Sequence, residues 1–125
     1  MKTGFSAREL DVMAVLWELG SATVAEVQTE LHDDLAYTTV LTVLRTLEDK
    51  GHVSHEDAGR AHRYLPLVDR ETAGTNALKR ILSTVFGGSP QLLLTNLVND
   101  QDLTRAQIRE MRKLLNEMPG KRETA

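Results

Sequence analysis

Apolar side chains recur along the chain at two spacings, and the change of spacing divides it. Three early stripes follow the three-to-four residue period of a helix with one buried face. They are Leu10, Met13, Ala14, Leu16 and Trp17; Val24, Val27 and Leu31, with the polar Gln28 on the same face; and Ala36, Val40, Val43, Leu44 and Leu47. After Gly51 the period falls to two, in His52-Val53-Ser54-His55-Glu56 and again in Ala61-His62-Arg63-Tyr64-Leu65-Pro66. With Asp57-Ala58-Gly59-Arg60 between them, these runs predict a two-stranded hairpin. From Val68 the helical period returns. It runs through Ala77, Leu78, Ile81, Leu82, Val85 and Phe86, then Leu92, Leu93, Leu94, Leu97 and Val98, then Ile108, Met111, Leu114, Leu115 and Met118.

Local signals mark where these helices begin and end. Ser6-Ala7-Arg8-Glu9, Thr23-Val24-Ala25-Glu26 and Thr104-Arg105-Ala106-Gln107 are capping boxes, in which a hydroxyl covers the N3 amide and an acid or amide side chain reaches back. Gly20, Gly51 and Gly87-Gly88 close helices, and Ser89-Pro90 opens one with proline in its first turn.

The order helix, helix, helix, hairpin is that of a winged helix-turn-helix module. The fold class expected is therefore mainly α. A winged-helix DNA-binding domain over residues 1–67 precedes a three-helix dimerisation domain over 68–118, and a polar tail over 119–125 is expected to fray. Three amphipathic helices of that length bury little surface alone. The run Leu92-Leu93-Leu94 puts apolar groups around most of a helix circumference, which calls for cover on more than one side. A second copy supplies it. The expected dimer contacts are Leu78, Ile81, Leu82 and Val85 from the first of these helices, Leu93, Leu94 and Leu97 from the second, and Ile108, Met111 and Leu115 from the third.

The third helix carries an unusual outer face. Thr38, Thr42 and Arg45 lie opposite its apolar stripe with Thr39 and Thr46 on one flank, although threonine is a poor helix former. In a helix-turn-helix this helix enters the DNA major groove, where short side chains allow close approach. A threonine methyl packs on a thymine methyl, and arginine bridges guanine O6 and N7. These five residues are the candidates for base reading. The bland alternative is that the threonines only cap the helix and fill its surface. Arg60, His62 and Arg63 of the hairpin, with Arg8 and Tyr37 at helix starts, are the candidates for gripping the DNA backbone. Alternation puts Arg63 on the opposite face from His62, which leaves a packing role open to it.

Composition narrows the remaining possibilities. The chain of 125 residues has 41% hydrophobic and 26% charged residues and no cysteine, which excludes disulfides, thiolate metal sites and thiol chemistry. No apolar run approaches a membrane span and the N-terminus lacks an apolar leader core, so a soluble cytoplasmic protein without membrane insertion is expected. There is no glycine-rich phosphate loop, no HExxH and no nucleophile elbow, and Asp33-Asp34 and Glu48-Asp49 are adjacent acids rather than acids paired across a cleft. No enzymatic activity and no cofactor are expected. Alternation sends His52 and His55 to opposite faces, so no metal site is expected either. A net charge of −3 runs against nucleic-acid binding and favours the alternative of a winged helix that docks another protein.

Taken in order, Met13-Ala14-Val15-Leu16-Trp17, Thr23-Val24-Ala25-Glu26-Val27, the run from Tyr37 to Leu44, Lys50-Gly51, the run from Arg60 to Pro66, Val85-Phe86-Gly87-Gly88 and Asp102-Leu103-Thr104 resemble the penicillinase-repressor family (BlaI, MecI and the copper-responsive CopY branch). The resemblance implies a homodimeric winged-helix repressor on palindromic operator DNA, acting on β-lactamase or cell-envelope stress genes, hence on antibiotic resistance. It also implies induction through a sensor-controlled protease that cuts in the first dimer-domain helix. The family's cut falls at an Asn-Phe pair. The matching place here is near Arg80-Ile81, and the nearby Asn76 is followed by Ala77, so the cut site is not carried over. The copper branch uses C-terminal cysteines that this chain lacks. Thr46 stands where the family often has a basic residue, which points to a different operator sequence.

Overall fold

The computed structural model describes residues 4–120. Six helices and three strands follow in the order α1 (Ala7–Leu19), β1 (Ala22–Thr23), α2 (Val24–Glu30), α3 (Tyr37–Asp49), β2 (Val53–Ala58), β3 (Ala61–Pro66), α4 (Arg70–Thr84), α5 (Pro90–Asp100) and α6 (Arg105–Glu117). The fold is mainly helical with one small antiparallel sheet of strand order β1-β3-β2.

The helix ends form where the local signals put them. Ser6, Thr23 and Thr104 each complete a capping box, and Ser89 Oγ accepts from the Leu92 amide. At the end of α3, the amides of Gly51 and His52 donate to the carbonyls of Glu48 and Leu47. This is a Schellman closure, and it needs the φ of 81° that Gly51 adopts. Asp69 caps α4, its Oδ1 accepting from the Thr72 amide at 2.7 Å, and that hydrogen bonding holds its carboxyl below the ordinary range.

Two expectations need correction. The sheet has three strands instead of two, because Ala22 and Thr23 pair with Tyr64 and Arg63. A two-residue strand has no period to read. In α1 the buried face is Glu9, Val12, Met13 and Leu16, while Ala14 is exposed. The buried face takes in Val12 and Glu9 and so lies one residue N-terminal of the predicted stripe.

The core joins Val12, Met13 and Leu16 of α1, Val24 and Val27 of α2, Val40, Leu44 and Leu47 of α3, and Val53 and Tyr64 of the hairpin. Full burial of such side chains contributes about 1.5–3 kcal/mol each, so this single cluster holds α3 in place with its opposite face outward. Trp17 Nε1 donates to the Val68 carbonyl at 2.8 Å, and Ala73 is buried. The start of α4 therefore packs with the winged helix. The chain divides into two compact units, Met1–Ile81 and Leu82–Ala125, and the division falls inside α4. Of the polar tail, residues 121–125 lie outside the described residues.

Candidate nucleic-acid interface

The outer face of α3 is built by subtraction. Val40, Leu44 and Leu47 are buried, and a helix repeats every 3.6 residues, so Thr38, Thr39, Thr42, Arg45 and Thr46 are all left exposed. Two hydroxyls are spoken for. Thr42 Oγ1 donates to the Thr38 carbonyl at 2.9 Å, and Thr46 Oγ1 donates to the Thr42 carbonyl at 3.0 Å. This back-bonding resolves the conflict between threonine and helix. The hydroxyl proton is satisfied within the helix, while the oxygen's free lone pairs and the methyl remain for an outside partner. Tyr37 is 48% exposed at the first turn of α3.

The hairpin stands beside this face. Its turn is the two residues Gly59-Arg60, shorter than the four-residue turn expected. Gly59 has φ 71° and Arg60 no positive φ, the arrangement of a type II′ turn. The turn holds Arg60 exposed at the tip, with His62 exposed two residues on.

Ion pairing sorts the cations. Arg63 Nη2 lies 3.0 Å from Glu26 Oε1, and its Nη1 reaches Ser21 Oγ at 3.4 Å. Pairing of Thr23 with Arg63 brings them together, and the Glu26 carboxyl is held low by the Thr23 amide first and by Arg63 as well. Arg63 is thus engaged by a carboxylate within the fold, the packing role that alternation left open to it. Arg8 pairs with Asp33 at 2.5 Å and with Asp11 at 3.4 Å, and the Asp33 hydrogen bond raises its already high pKa. Arg8, at the positive end of the α1 dipole, is thus compensated by carboxylates within the fold. Lys50 pairs with Glu9. Among the described residues, Arg45 and Arg60 are in no ion pair.

Sequence reasoning missed a cluster on the wing. His55 and His62 stack with ring centroids 4.2 Å apart, His55 Nδ1 lies 2.5 Å from Glu48 Oε2, and His62 Nε2 lies 3.5 Å from Asp57 Oδ1. Alternation within each strand does not show which residues pair across the turn. The Gly59-Arg60 turn, read as two residues, would have set Asp57 opposite His62 and His55 opposite Tyr64. Tyr64 itself is buried, and burial, with the charge of Glu48, raises its pKa against the opposing influence of Arg45.

Three helices on one core, the third with its polar face outward, and an antiparallel hairpin at its side define a winged helix-turn-helix protein. The model of the penicillinase repressor family matches residues 5–117, and the chain belongs to that family, whose members are transcriptional repressors and not enzymes. It is 26% identical over 113 residues to the methicillin resistance regulatory protein MecI of Staphylococcus aureus (strain N315), covering 89% of this chain and 92% of that one. It is 27% identical over 120 residues to the penicillinase repressor of Bacillus licheniformis, covering 94% of each. The solution structure of the DNA binding domain of the repressor BlaI is similar with a TM-score of 0.51 and 33% identity, over 56% of this chain and 88% of that one.

Proposed function

We propose that this DNA-binding repressor acts in the cytoplasm as a homodimer on palindromic operators of β-lactamase or cell-envelope stress genes. One observation carries the reading of the interface. The cations around α3 and the hairpin are neutralised by acids except Arg45 and Arg60, which stand exposed beside a face of short threonines. This supports Arg45 with Thr38, Thr39, Thr42 and Thr46 as base readers, and Arg60, His62 and Tyr37 as backbone contacts. Local positive charge of this kind supports DNA binding by a chain whose net charge is −3.

The second unit supports the dimer. No residue of α5 or α6 is buried, and Val85, Leu94, Leu97 and Leu115 are exposed, as are Leu78 and Ile81 of α4. A helical unit with no buried side chain has no core of its own, and a second copy provides one. The place that matches the family's cut, Arg80-Ile81, falls at the joint between the compact units. Cleavage there by a sensor-controlled protease would detach the winged helix from the dimerising helices and abolish paired binding.

Selection of bound sites from random duplex DNA tests the whole reading. The expected product is a palindrome whose half-centres are about one helical turn, ~10 bp, or a multiple apart. Recovery of no motif, with weak binding even at low salt, would leave the α3 face as a protein-docking surface.

A further inference from the structure

His55, Asp57 and His62 share one face of the hairpin. His55 and Asp57 stand two residues apart on β2, and His62 of β3 is the direct partner of Asp57. Each brings one ligand-capable atom within 4.8 Å of the other two, and all three side chains are exposed. Glu48 of α3 adds a feature that simple wing polarity does not explain. Its Oε2 lies 2.5 Å from His55 Nδ1. An ionised carboxylate only accepts hydrogen bonds, so a neutral His55 donates from Nδ1 and keeps the Nε2 lone pair for another partner. A carboxylate behind an imidazole is the arrangement that fixes ring and tautomer in protein metal sites.

We propose that His55, Asp57 and His62 bind a divalent transition-metal ion of the zinc class, with Glu48 orienting His55. Two imidazoles and one carboxylate suit such ions, whereas magnesium and calcium take oxygen ligands. Tetrahedral bonds of about 2.0–2.2 Å set ligand atoms roughly 3.4 Å apart. The cluster must contract by up to about 1.4 Å and the parallel stack of His55 and His62 must open, which rotation of exposed side chains supplies. The ion offsets the charge of Asp57 and adds positive charge to the groove shared by Arg45, Arg60 and His62, so the loaded wing holds phosphate more tightly. That last step rests on the DNA interface proposed above. The metal site does not.

Titration of zinc chloride alone into the metal-free full chain, followed by calorimetry, tests the site. One ion per chain is expected. Glu48→Gln should weaken it about tenfold, as outer-shell changes do, and His55→Gln and Asp57→Asn should each weaken it more. His32→Gln, in the turn between α2 and α3, should leave it unchanged. Absence of zinc binding, or equal binding by wild type, His55→Gln and Asp57→Asn, would overturn the proposal. Melting curves of the variants, which alter surface side chains only, establish that they fold. In a second readout zinc should tighten DNA binding and steepen its salt dependence for the wild type but not for Asp57→Asn. Zinc binding with unchanged DNA affinity would reject the coupling and retain the site. Failure of the zinc-free protein to bind DNA at all would count against the interface and leave the zinc titration as the arbiter of the metal site.

Discussion

Lys50 Nζ lies 2.8 and 2.9 Å from the two carboxylate oxygens of Glu9. The pair ties the C-terminus of α3 to the N-terminus of α1. The same carboxylate accepts from the Ser6 amide at 2.7 Å, so one acid serves the capping box and the tertiary contact together. Each charge also faces the helix end that favours it, the acid at the start of α1 and the lysine at the end of α3. The pair adds to the core contacts that hold the candidate reading face in place.

Removing one partner of a pair this well buried leaves the other without compensation, at a cost of about 3–5 kcal/mol for full burial. Lys50 is 18% exposed at its side chain, so Glu9→Ala is expected to cost toward the lower figure. Denaturant unfolding of the two proteins measures it directly. A loss below that of an ordinary cap would show that the pair contributes little.

The same pair makes stability depend on acidity. Burial alone would raise the Glu9 carboxyl, but the hydrogen bonds from Lys50 and Ser6 outweigh it and the net shift is downward. A carboxylate depressed in the folded state contributes fully above the unfolded glutamate value of about 4.3 and loses that contribution as pH falls through the lower folded value. The stability gap between wild type and Glu9→Gln should therefore be constant near neutrality and narrow below about pH 4.3. A gap that widened with acid would reverse the assignment.

Arg45 and Arg60 are expected to differ in kind. Arg45→Ala should cost about 1–3 kcal/mol on the preferred site and relax base preference at one position per half-site. Arg60→Ala should weaken every sequence alike and lower the salt slope by about one. Competition binding with permuted sites separates the two, and uniform losses from both would remove Arg45 from base reading.

Arg63 and Arg8 provide the contrast. Both are held by carboxylates within the fold, so alanine at either should leave the salt slope of DNA binding unchanged. The Arg63 variant should cost no more than about 1 kcal/mol of stability, as for partly exposed pairs. A reduced slope for either would place that arginine on phosphate after all.

Leu97, 43% exposed on α5, tests the dimer. Leu97→Glu puts a charge into the proposed interface, and sedimentation should then find monomers. Operator affinity should drop about 100-fold as the linkage of two half-sites is lost, while the winged helix still melts cooperatively. A variant that stayed dimeric with full affinity would move the interface elsewhere.

The sequence by itself determined the order of elements, the helix caps, the closure at Gly51 and the outward threonine–arginine face of α3. Each depends on interactions within about four residues or on a helical period, which neighbouring side chains dictate without reference to the rest of the chain. The tertiary structure decided which charges are spent. Glu9 meets Lys50, Glu26 meets Arg63 and Asp33 meets Arg8 across separations in sequence that no local pattern encodes. It also added β1 as a third strand and gathered His55, Asp57 and His62 on one face of the wing. The ion pairs and β1 depend on packing that burial of the common core selects, and the wing cluster on the register that the two-residue turn sets.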